Sequence, residues 1–271
     1  MSDASRVFTT LRETLERANR IVIKVGSALV VNTDTQQPRQ DWLNTLSDDI
    51  NVYRAQGKEV ILVSSGAIAL ARGECPEANG QMEAKQALAT IGQPMLMEVY
   101  QKAFRAHVSQ ILLCADDLRS DTRRANFIAT TRKLHDFKRM AIINENDAVA
   151  TEEIKFGDND RLAALVAEAV EADALVLMTR AGGLYTGDPE TDATAQHIPY
   201  VAKITDEFRS FATGTKNHLS TGGMESKLEA ATIATTAGIP TVICSGLSAN
   251  PLAALVSNGQ EKFTYFAPQA A

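Results

Sequence analysis

The hydrophobic and polar residues of this chain divide it into short apolar runs and longer stretches whose apolar positions recur with a helical period. The short runs are rich in β-branched residues and predict buried strands at residues 21–25, 59–63, 110–114, 140–143, 174–178 and 240–244. The longer stretches predict helices at residues 41–56, 83–106, 122–137, 161–171 and 224–237.

The order of these elements predicts an α/β fold. Strands that alternate with helices of this length need crossover connections, so we expect a mostly parallel sheet with helices on both faces. The strand runs are apolar on both sides, which agrees with burial of both faces. No internal repeat or Pro- or Ser-rich linker interrupts the chain, so residues 1–271 are predicted to form one domain. Residues 187–223 are rich in Thr, Ser, Gly and Asp, and predict a long irregular segment that is either functional or mobile.

The charge balance excludes several classes of protein. The 271 residues include 27 Lys and Arg against 33 Asp and Glu, a net charge of −6, so we expect no basic face for nucleic acid. No apolar run approaches the roughly 20 residues that cross a bilayer, and the N-terminus lacks a secretory signal, so we expect a cytoplasmic protein. The Cys and His spacings predict no metal site. Cys75, Cys114 and Cys244 are expected to pack in the core.

The carboxyl ends of parallel strands are where ligands bind, and the residues predicted there carry unusual chemistry. Lys24 lies inside the first apolar run and precedes a glycine turn, so it either meets an anion such as phosphate or extends its amine into solvent. Ser64, Ser65 and Gly66 follow the second run, where the serines either cap a helix or help to bind an anion at its N-terminus.

Acidic residues are concentrated between Asn144 and Asp160. Six acids against the single Lys155 repel one another unless a cation is held there. The segment is therefore a candidate site for a substrate amino group or for a divalent ion beside phosphates. The acidic residues are Glu145, Asp147, Glu152, Glu153, Asp158 and Asp160.

Two later segments are rich in glycine. Residues 179–189 contain paired glycines and Gly-Asp-Pro, which indicate only a turn. Residues 220–227 place Gly222 and Gly223 before a helix whose opening turns contain Lys227, a pattern that favours phosphate binding. The spacing is not that of a P-loop, and no GxGxxG is present, so neither a P-loop nucleotidase nor a dinucleotide-binding domain is predicted.

Taken in order, five strings closely resemble the amino-acid kinase family and, within it, the glutamate 5-kinases: IVIKVGSALV, VSSGAIALA, INENDAVATEEIKFGDNDRLAALVA, LMTRAGGLYTGDP and TGGMESKLEAA. NENDAVA and FGDND are the most specific, because sibling kinases for acetylglutamate, aspartate, carbamate and UMP lack them. The resemblance implies a three-layer α/β/α sandwich with a central, mainly parallel sheet. It also implies that ATP, with Mg²⁺, phosphorylates the γ-carboxylate of L-glutamate, the first step of proline biosynthesis.

The resemblance further implies roles for individual residues. Lys24 would meet the ATP phosphates, Lys227 would meet the transferring group, and Asp160 would position both lysines. The implied substrate-binding residues, in a glutamate-binding part at roughly 20–170, are Ser65, Asp147, Asn159 and Asp158. The implied nucleotide-binding residues, in a part at roughly 171–260, are Lys24, Thr179, Arg180, Thr221, Gly222, Gly223, Met224, Glu225, Ser226 and Lys227.

The chemistry of such a reaction agrees with the residues present. A carboxylate acceptor is already ionised at neutral pH, so no general base and no activated Ser, Cys or His is required. The reaction needs in-line positioning and cations around a spreading negative charge, which two lysines, a glycine-rich loop and Mg²⁺ supply. The lack of a catalytic triad therefore favours the kinase interpretation.

The chain departs from the family pattern in three ways. Arg180 stands where Asp is common, Ser220 replaces a usual glycine, and the C-terminal PUA domain of many members is not expected in this chain. A regulatory amino-acid sensor without phosphoryl transfer is therefore a second hypothesis, although the presence of Lys24, Asp160 and Lys227 together favours catalysis. A sibling kinase with another acceptor is a third. The resemblance also implies feedback inhibition by proline, a homodimer or homotetramer, and hand-off to glutamyl phosphate reductase.

Overall fold

The computed structural model describes residues 3–76, 81–105, 107–149, 159–189, 191–212, 223–257 and 261–269. Its helices are α1 (Asp3–Arg17), α2 (Ser27–Val30), α3 (Gln40–Ala55), α4 (Ala67–Arg72), α5 (Met82–Ala103), α6 (Ala115–Arg119), α7 (Asp121–Asp136), α8 (Asn159–Ala169), α9 (Asp206–Ala212), α10 (Met224–Thr236) and α11 (Pro251–Ser257). Its strands are β1 (Arg20–Val25), β2 (Glu59–Ser64), β3 (Val108–Leu113), β4 (Met140–Glu145), β5 (Ala174–Thr179), β6 (Leu184–Tyr185), β7 (His197–Ile198), β8 (Tyr200–Val201), β9 (Thr241–Ser245) and β10 (Phe263–Phe266). A 3₁₀ turn at Asp147–Val149 follows β4. None of the described helices is long and apolar enough to cross a membrane.

Eight of the described strands form one sheet in the order β3-β4-β2-β1-β5-β9-β10-β8. β1 lies near its centre and pairs in parallel with β2 and β5. The remaining pairings are parallel except that of β10 with β9, which is antiparallel. The prediction of a mainly parallel sheet is confirmed. The strands β6 and β7 form a separate antiparallel hairpin.

Two hydrophobic cores lie on opposite faces of the sheet. Along β1, Ile21, Ile23 and Val25 belong to the core that includes residues of α1, α3, α5 and α11. Val22 belongs to the other core, together with residues of α7, α8 and α10. Because both faces are covered by helices, the central strands are apolar on both sides, and the three-layer α/β/α architecture is confirmed.

All six predicted strands and all five predicted helices are present, with ends that differ by at most three residues. No range was predicted for the remaining elements of the structure, which are α1, α2, α4, α6, α9, α11, β6, β7, β8 and β10. The prediction that residues 187–223 are irregular is wrong in part, because β7, β8 and α9 lie within this segment. Strands of two residues are too short to show the alternation from which a strand is recognised.

The three cysteines differ in burial. Cys244 lies in the core at the end of β9, where burial raises the pKa of its thiol to about 12. Cys75 and Cys114 are only partly buried, so the prediction that they pack in the core is wrong. Cys75 lies beyond the end of α4, and Cys114 follows the edge strand β3, whose side chains are covered less completely.

Candidate active site

Lys24 lies at the carboxyl end of the central strand β1. Its neighbours Ile23 and Val25 face the core formed with α3 and α5, so the alternation of the strand directs Lys24 to the opposite face, that of α8 and α10. The residue is 6% exposed, which excludes the interpretation that its amine extends into solvent. A buried ammonium group is costly unless a negative charge lies close to it. Its Nζ lies 2.7 Å from Oδ1 of Asp160.

Asp160, in the first turn of α8, contacts two lysines. Its Oδ2 lies 2.9 Å from Nζ of Lys227, which belongs to the first turn of α10. Ser226 donates a hydrogen bond to the same oxygen at 3.0 Å. Because α8 and α10 pack against each other on one face of the sheet, residues distant in sequence meet here. Lys24, Asp160 and Lys227 thus form a buried group with one net positive charge, the cationic cluster.

The carboxyl of Asp160 remains ionised at neutral pH. Burial alone would raise its pKa, but the charges and hydrogen bonds of Lys24 and Lys227 hold the pKa well below the ordinary value of 3.8. The carboxylate therefore fixes two ammonium groups at one point of the sheet edge without neutralising both. A preorganised surplus of positive charge in a buried setting stabilises phosphate groups.

A second group of polar side chains lies beside the cationic cluster. Asn159, the first residue of α8, donates from Nδ2 to Oγ of Ser65 at 2.9 Å, and its Oδ1 accepts from the backbone N–H of Glu145 at 3.2 Å. The same N–H is shared with Oδ1 of Asn144 at 2.9 Å. Asn144 in turn donates from Nδ2 to Oε1 of Gln93 at 2.8 Å. These five residues form the amide network, which joins α5, β4, α8 and the end of β2.

The serines that follow the apolar part of β2 do not cap α4. The N-cap position is Gly66, without a side-chain hydrogen bond, and its φ of +121° is readily adopted only by glycine. Ser65 instead accepts the hydrogen bond from Asn159, and Ser64 shares a buried hydrogen bond of 2.7 Å with the hydroxyl of Tyr100. The capping alternative is therefore wrong for both serines.

Asp147 brings a buried carboxylate to the same edge of the sheet. It opens the 3₁₀ turn after β4 and is 5% exposed. The turn packs against α5, the helix that carries Gln93. A buried carboxylate is suited to bind an ammonium group.

The end of β5 carries two predicted nucleotide-binding residues. Thr179 is half-buried, and its carbonyl accepts a hydrogen bond from the N–H of Gly246 at 2.8 Å. Gly26 approaches the same end of β5, because its N–H donates to the carbonyl of Met178. Arg180 is exposed. The structure therefore places Arg180 at the rim of this edge.

The start of α10 carries further predicted nucleotide-binding residues. Gly223 is the N-cap, Met224 packs in part against the core, and Glu225 is exposed. Ser226, also predicted to contact nucleotide, donates to the buried carboxylate of the cationic cluster. Five predicted site residues lie outside the described residues: Glu152, Glu153, Asp158, Thr221 and Gly222.

A model described as the amino acid kinase family matches residues 19–245 of the chain. The chain belongs to the amino acid kinase family. A glutamate 5-kinase 1 of Rhizobium meliloti is 44% identical over 266 residues, which cover 96% of this chain and 67% of the relative. A glutamate 5-kinase of Caulobacter vibrioides is 45% identical over 249 residues, which cover 89% of this chain and 66% of the relative. The chain thus spans about two thirds of the length of these curated relatives.

A solved structure supports the family's fold independently. A UMP kinase from Bacillus anthracis superposes with a TM-score of 0.61 at 14% identity, and the match covers 93% of this chain and 97% of the UMP kinase. At this identity the similarity shows the fold alone. The sheet and the helix layers are therefore those of the amino acid kinase family.

Two residues of the site, Gln93 and Asn144, were not predicted from the sequence. Gln93 lies in the middle of α5, where a polar residue between apolar ones is typical of any amphipathic helix. Asn144 directly follows a predicted strand, and that position at a sheet edge is the only signal that points to it. Both contacts depend on how α5 packs against the sheet, which the sequence pattern does not specify.

Proposed function

We propose that this member of the amino acid kinase family transfers the γ-phosphoryl group of ATP to the side-chain carboxylate of L-glutamate. The products would be ADP and γ-glutamyl phosphate, in the first step of proline biosynthesis. One observation carries the proposal: the cationic cluster and the amide network adjoin at one edge of the sheet through the consecutive residues Asn159 and Asp160. A phosphate donor and a carboxylate acceptor held by these groups would lie side by side. The names of the relatives in Rhizobium meliloti and Caulobacter vibrioides support glutamate as the acceptor.

The cationic cluster is the proposed phosphoryl-transfer centre. Charge spreads over the oxygens of the transferring group, so fixed cations aimed at that group lower the barrier. Lys24 and Lys227 approach from β1 and α10, and the carboxylate between them fixes their distance from each other. The nucleotide itself is proposed to bind along residues 171–260, near the ends of β5 and α10.

The amide network and Asp147 are the proposed glutamate site, within residues 20–170. The Oγ of Ser65 accepts from Asn159, so the hydroxyl proton of Ser65 remains available to donate to a substrate carboxylate. The carboxylate of Asp147 is suited to the substrate ammonium group. Because the acceptor carboxylate is ionised already, these residues need only to orient it.

Magnesium fits this site as the companion of ATP. The ion keeps several waters and is commonly held by substrate phosphates with one or two carboxylates. Within the described ranges no three His, Cys, Asp or Glu side chains are grouped to hold a metal, and both oxygens of Asp160 contact lysines. We therefore propose that Mg²⁺ arrives with the phosphates and offsets part of their charge.

Further properties are proposed on the strength of the family relationship. They are feedback inhibition by proline, assembly into a homodimer or homotetramer, and hand-off of the labile acyl phosphate to glutamyl phosphate reductase. A cytoplasmic location is proposed because ATP and glutamate are available there.

A coupled assay of ADP release tests the proposed function. With Mg-ATP, L-glutamate should give turnover above background, whereas aspartate, acetylglutamate, carbamate and UMP should not. Turnover with one of those acceptors alone would establish a sibling kinase. Calorimetric binding of glutamate or proline without ADP release would establish the sensor hypothesis instead.

Asp147→Asn is expected to raise the KM for glutamate by about 10- to 100-fold with little change in kcat, because a hydrogen bond between charged groups contributes about 1.5–3 kcal/mol. Steady-state kinetics with glutamate and with ATP as the varied substrate measure the effect. Asp116→Asn is the matched control, since that carboxylate is exposed on the surface. An equal rise in the KM for ATP would contradict the assignment of Asp147 to the glutamate site.

A further inference from the structure

Gln93 is brought under the proposed glutamate site by a close contact between two helices. A Cβ atom added to the preceding Gly92 would lie 1.8 Å from the carbonyl oxygen of Ala67, the first residue of α4. Only glycine allows the backbone of α5 to approach α4 this closely, one residue beyond Gly66 and two beyond Ser65. The contact places the side chain of Gln93, 8% exposed, against Asn144 at the end of β4.

The hydrogen bonds of the amide network fix the orientation of each amide group. The backbone N–H of Glu145 needs acceptors, so Asn144 and Asn159 both present Oδ1 to it. Their Nδ2 groups must then donate elsewhere, to Gln93 and to Ser65 respectively. If the side-chain amide of Asn144 were turned by half a rotation, its Nδ2 donor would face the N–H donor of Glu145. The acceptor that holds Asn144 in place is Oε1 of Gln93.

The nitrogen end of the Gln93 side-chain amide differs from the oxygen end. Its Nε2 is buried and has no hydrogen-bond partner among the described residues. Leaving such a donor unsatisfied costs about 1–3 kcal/mol, whereas a leucine at this position would leave Nδ2 of Asn144 without its acceptor. The glutamine therefore serves to hold Asn144 through its oxygen rather than to fill the core.

We propose that Gln93 is a positioning residue for the acceptor, an inference that rests on the proposed function. It holds Asn144, which shares the N–H of Glu145 with Asn159, and Asn159 holds Ser65. The chain of contacts connects the helix layer of α5 with that of α8 across the edge of the sheet. It directs the hydroxyl proton of Ser65 toward the acceptor carboxylate.

Gln93→Leu tests this role through the separate KM values of the two substrates. The KM for glutamate should rise about 10-fold or more, the cost of one misdirected hydrogen bond, while the KM for ATP changes less than about twofold. Gln101→Leu is the matched control, because Gln101 is an exposed glutamine on the same helix. No change in the KM for glutamate, or an equal change in both values, would overturn the proposal.

Gln93→Glu tests the acceptor at Oε1, because its carboxyl keeps an oxygen for Nδ2 of Asn144 that leucine removes. The introduced carboxyl would be buried on α5, which packs against the 3₁₀ turn that begins at Asp147, and burial raises its pKa. When protonated it has an acceptor and a donor like the amide it replaces, so the KM for glutamate should recover toward the wild-type value between about pH 8.5 and pH 6. Wild type and Gln101→Glu should show no such recovery. A KM for Gln93→Glu at pH 6 that is as high as that of Gln93→Leu would contradict the positioning role, because the carboxyl keeps the acceptor for Asn144.

A crystal structure of Gln93→Leu separates this inference from the proposed function. The expected result is that the amide of Asn144 turns and that Nδ2 of Asn159 moves beyond hydrogen-bond distance of Ser65. An unchanged amide network would overturn the inference even if the wild type phosphorylates glutamate. A changed network in a protein that does not phosphorylate glutamate would refute the proposed substrate alone.

Discussion

Asp160→Asn is expected to lower the free energy of unfolding by about 3–5 kcal/mol and to abolish phosphoryl transfer, because it leaves two buried ammonium groups without a counter-charge. The substitution preserves the size of the side chain. Lys24 and Lys227 are 6% and 5% exposed, so water cannot replace the lost carboxylate. Urea unfolding followed by the fluorescence of Trp42, the only tryptophan of the chain, measures the first effect. ADP release measures the second.

A second substitution separates the loss of stability from the loss of activity. Adding Lys227→Met to Asp160→Asn removes one of the two unpaired charges, so part of the stability should return while activity does not. Asp116→Asn, in an exposed carboxylate, should change the free energy of unfolding by less than about 0.5 kcal/mol. If Asp160→Asn were as stable as the wild type, the cationic cluster would not be held by its carboxylate.

The difference in unfolding free energy between wild type and Asp160→Asn should depend on pH in a defined direction. The pKa of Asp160 is lower in the folded protein than its ordinary value of 3.8, so its contribution to stability is fully present above about pH 4. The contribution is lost as the pH falls from there toward the folded pKa. The difference in unfolding free energy between wild type and Asp160→Asn should therefore be constant from neutral pH to about pH 5, and should shrink below about pH 4.

The sheet could be predicted from the sequence because its central strands are buried on both faces. β5 is apolar up to Thr179 and β1 is apolar except at Arg20 and Lys24, and helices such as α3 and α5 are long enough to show their period. Except for α1, the elements that escaped prediction are short, with at most seven residues. β7 and β8 have only two residues each. The helix α1 carries its buried Val7, Leu11 and Leu15 on one narrow stripe among polar residues.

The candidate site was predictable where its residues follow strands directly. Lys24, Ser65 and Asp147 could be identified because the ends of parallel strands meet at one edge. The contact of Lys227 with Asp160 depends on how α10 packs against α8, so the strand pattern could not predict it. Only the family resemblance suggested this contact. The contact of Gln93 with Asn144 could not be predicted, because it depends on the close packing of α5 against α4.

Lys227→Met is expected to reduce kcat by about 10³-fold, since a single cation aimed at the transferring phosphoryl group is worth two to five powers of ten in known cases. The neutral side chain is of similar length and can occupy the same buried space. Asp160 would keep its contacts with Lys24 and Ser226, so the free energy of unfolding should fall by only about 1 kcal/mol. Steady-state kinetics with Mg-ATP and glutamate, together with urea unfolding, measure both quantities.

The changes in kcat and in the KM for ATP show whether Lys227 acts on the transition state or only binds ATP. A cation that acts on the transition state lowers kcat and kcat/KM together, whereas one that only binds ATP raises the KM for ATP and leaves kcat within about tenfold. Lys102→Met is the matched control, because Lys102 lies on the surface in an exposed ion pair with Glu98. Since Asp160→Asn should lose both stability and activity, a Lys227→Met variant that is nearly inactive but destabilised by only about 1 kcal/mol would separate the catalytic lysine from the carboxylate that holds it.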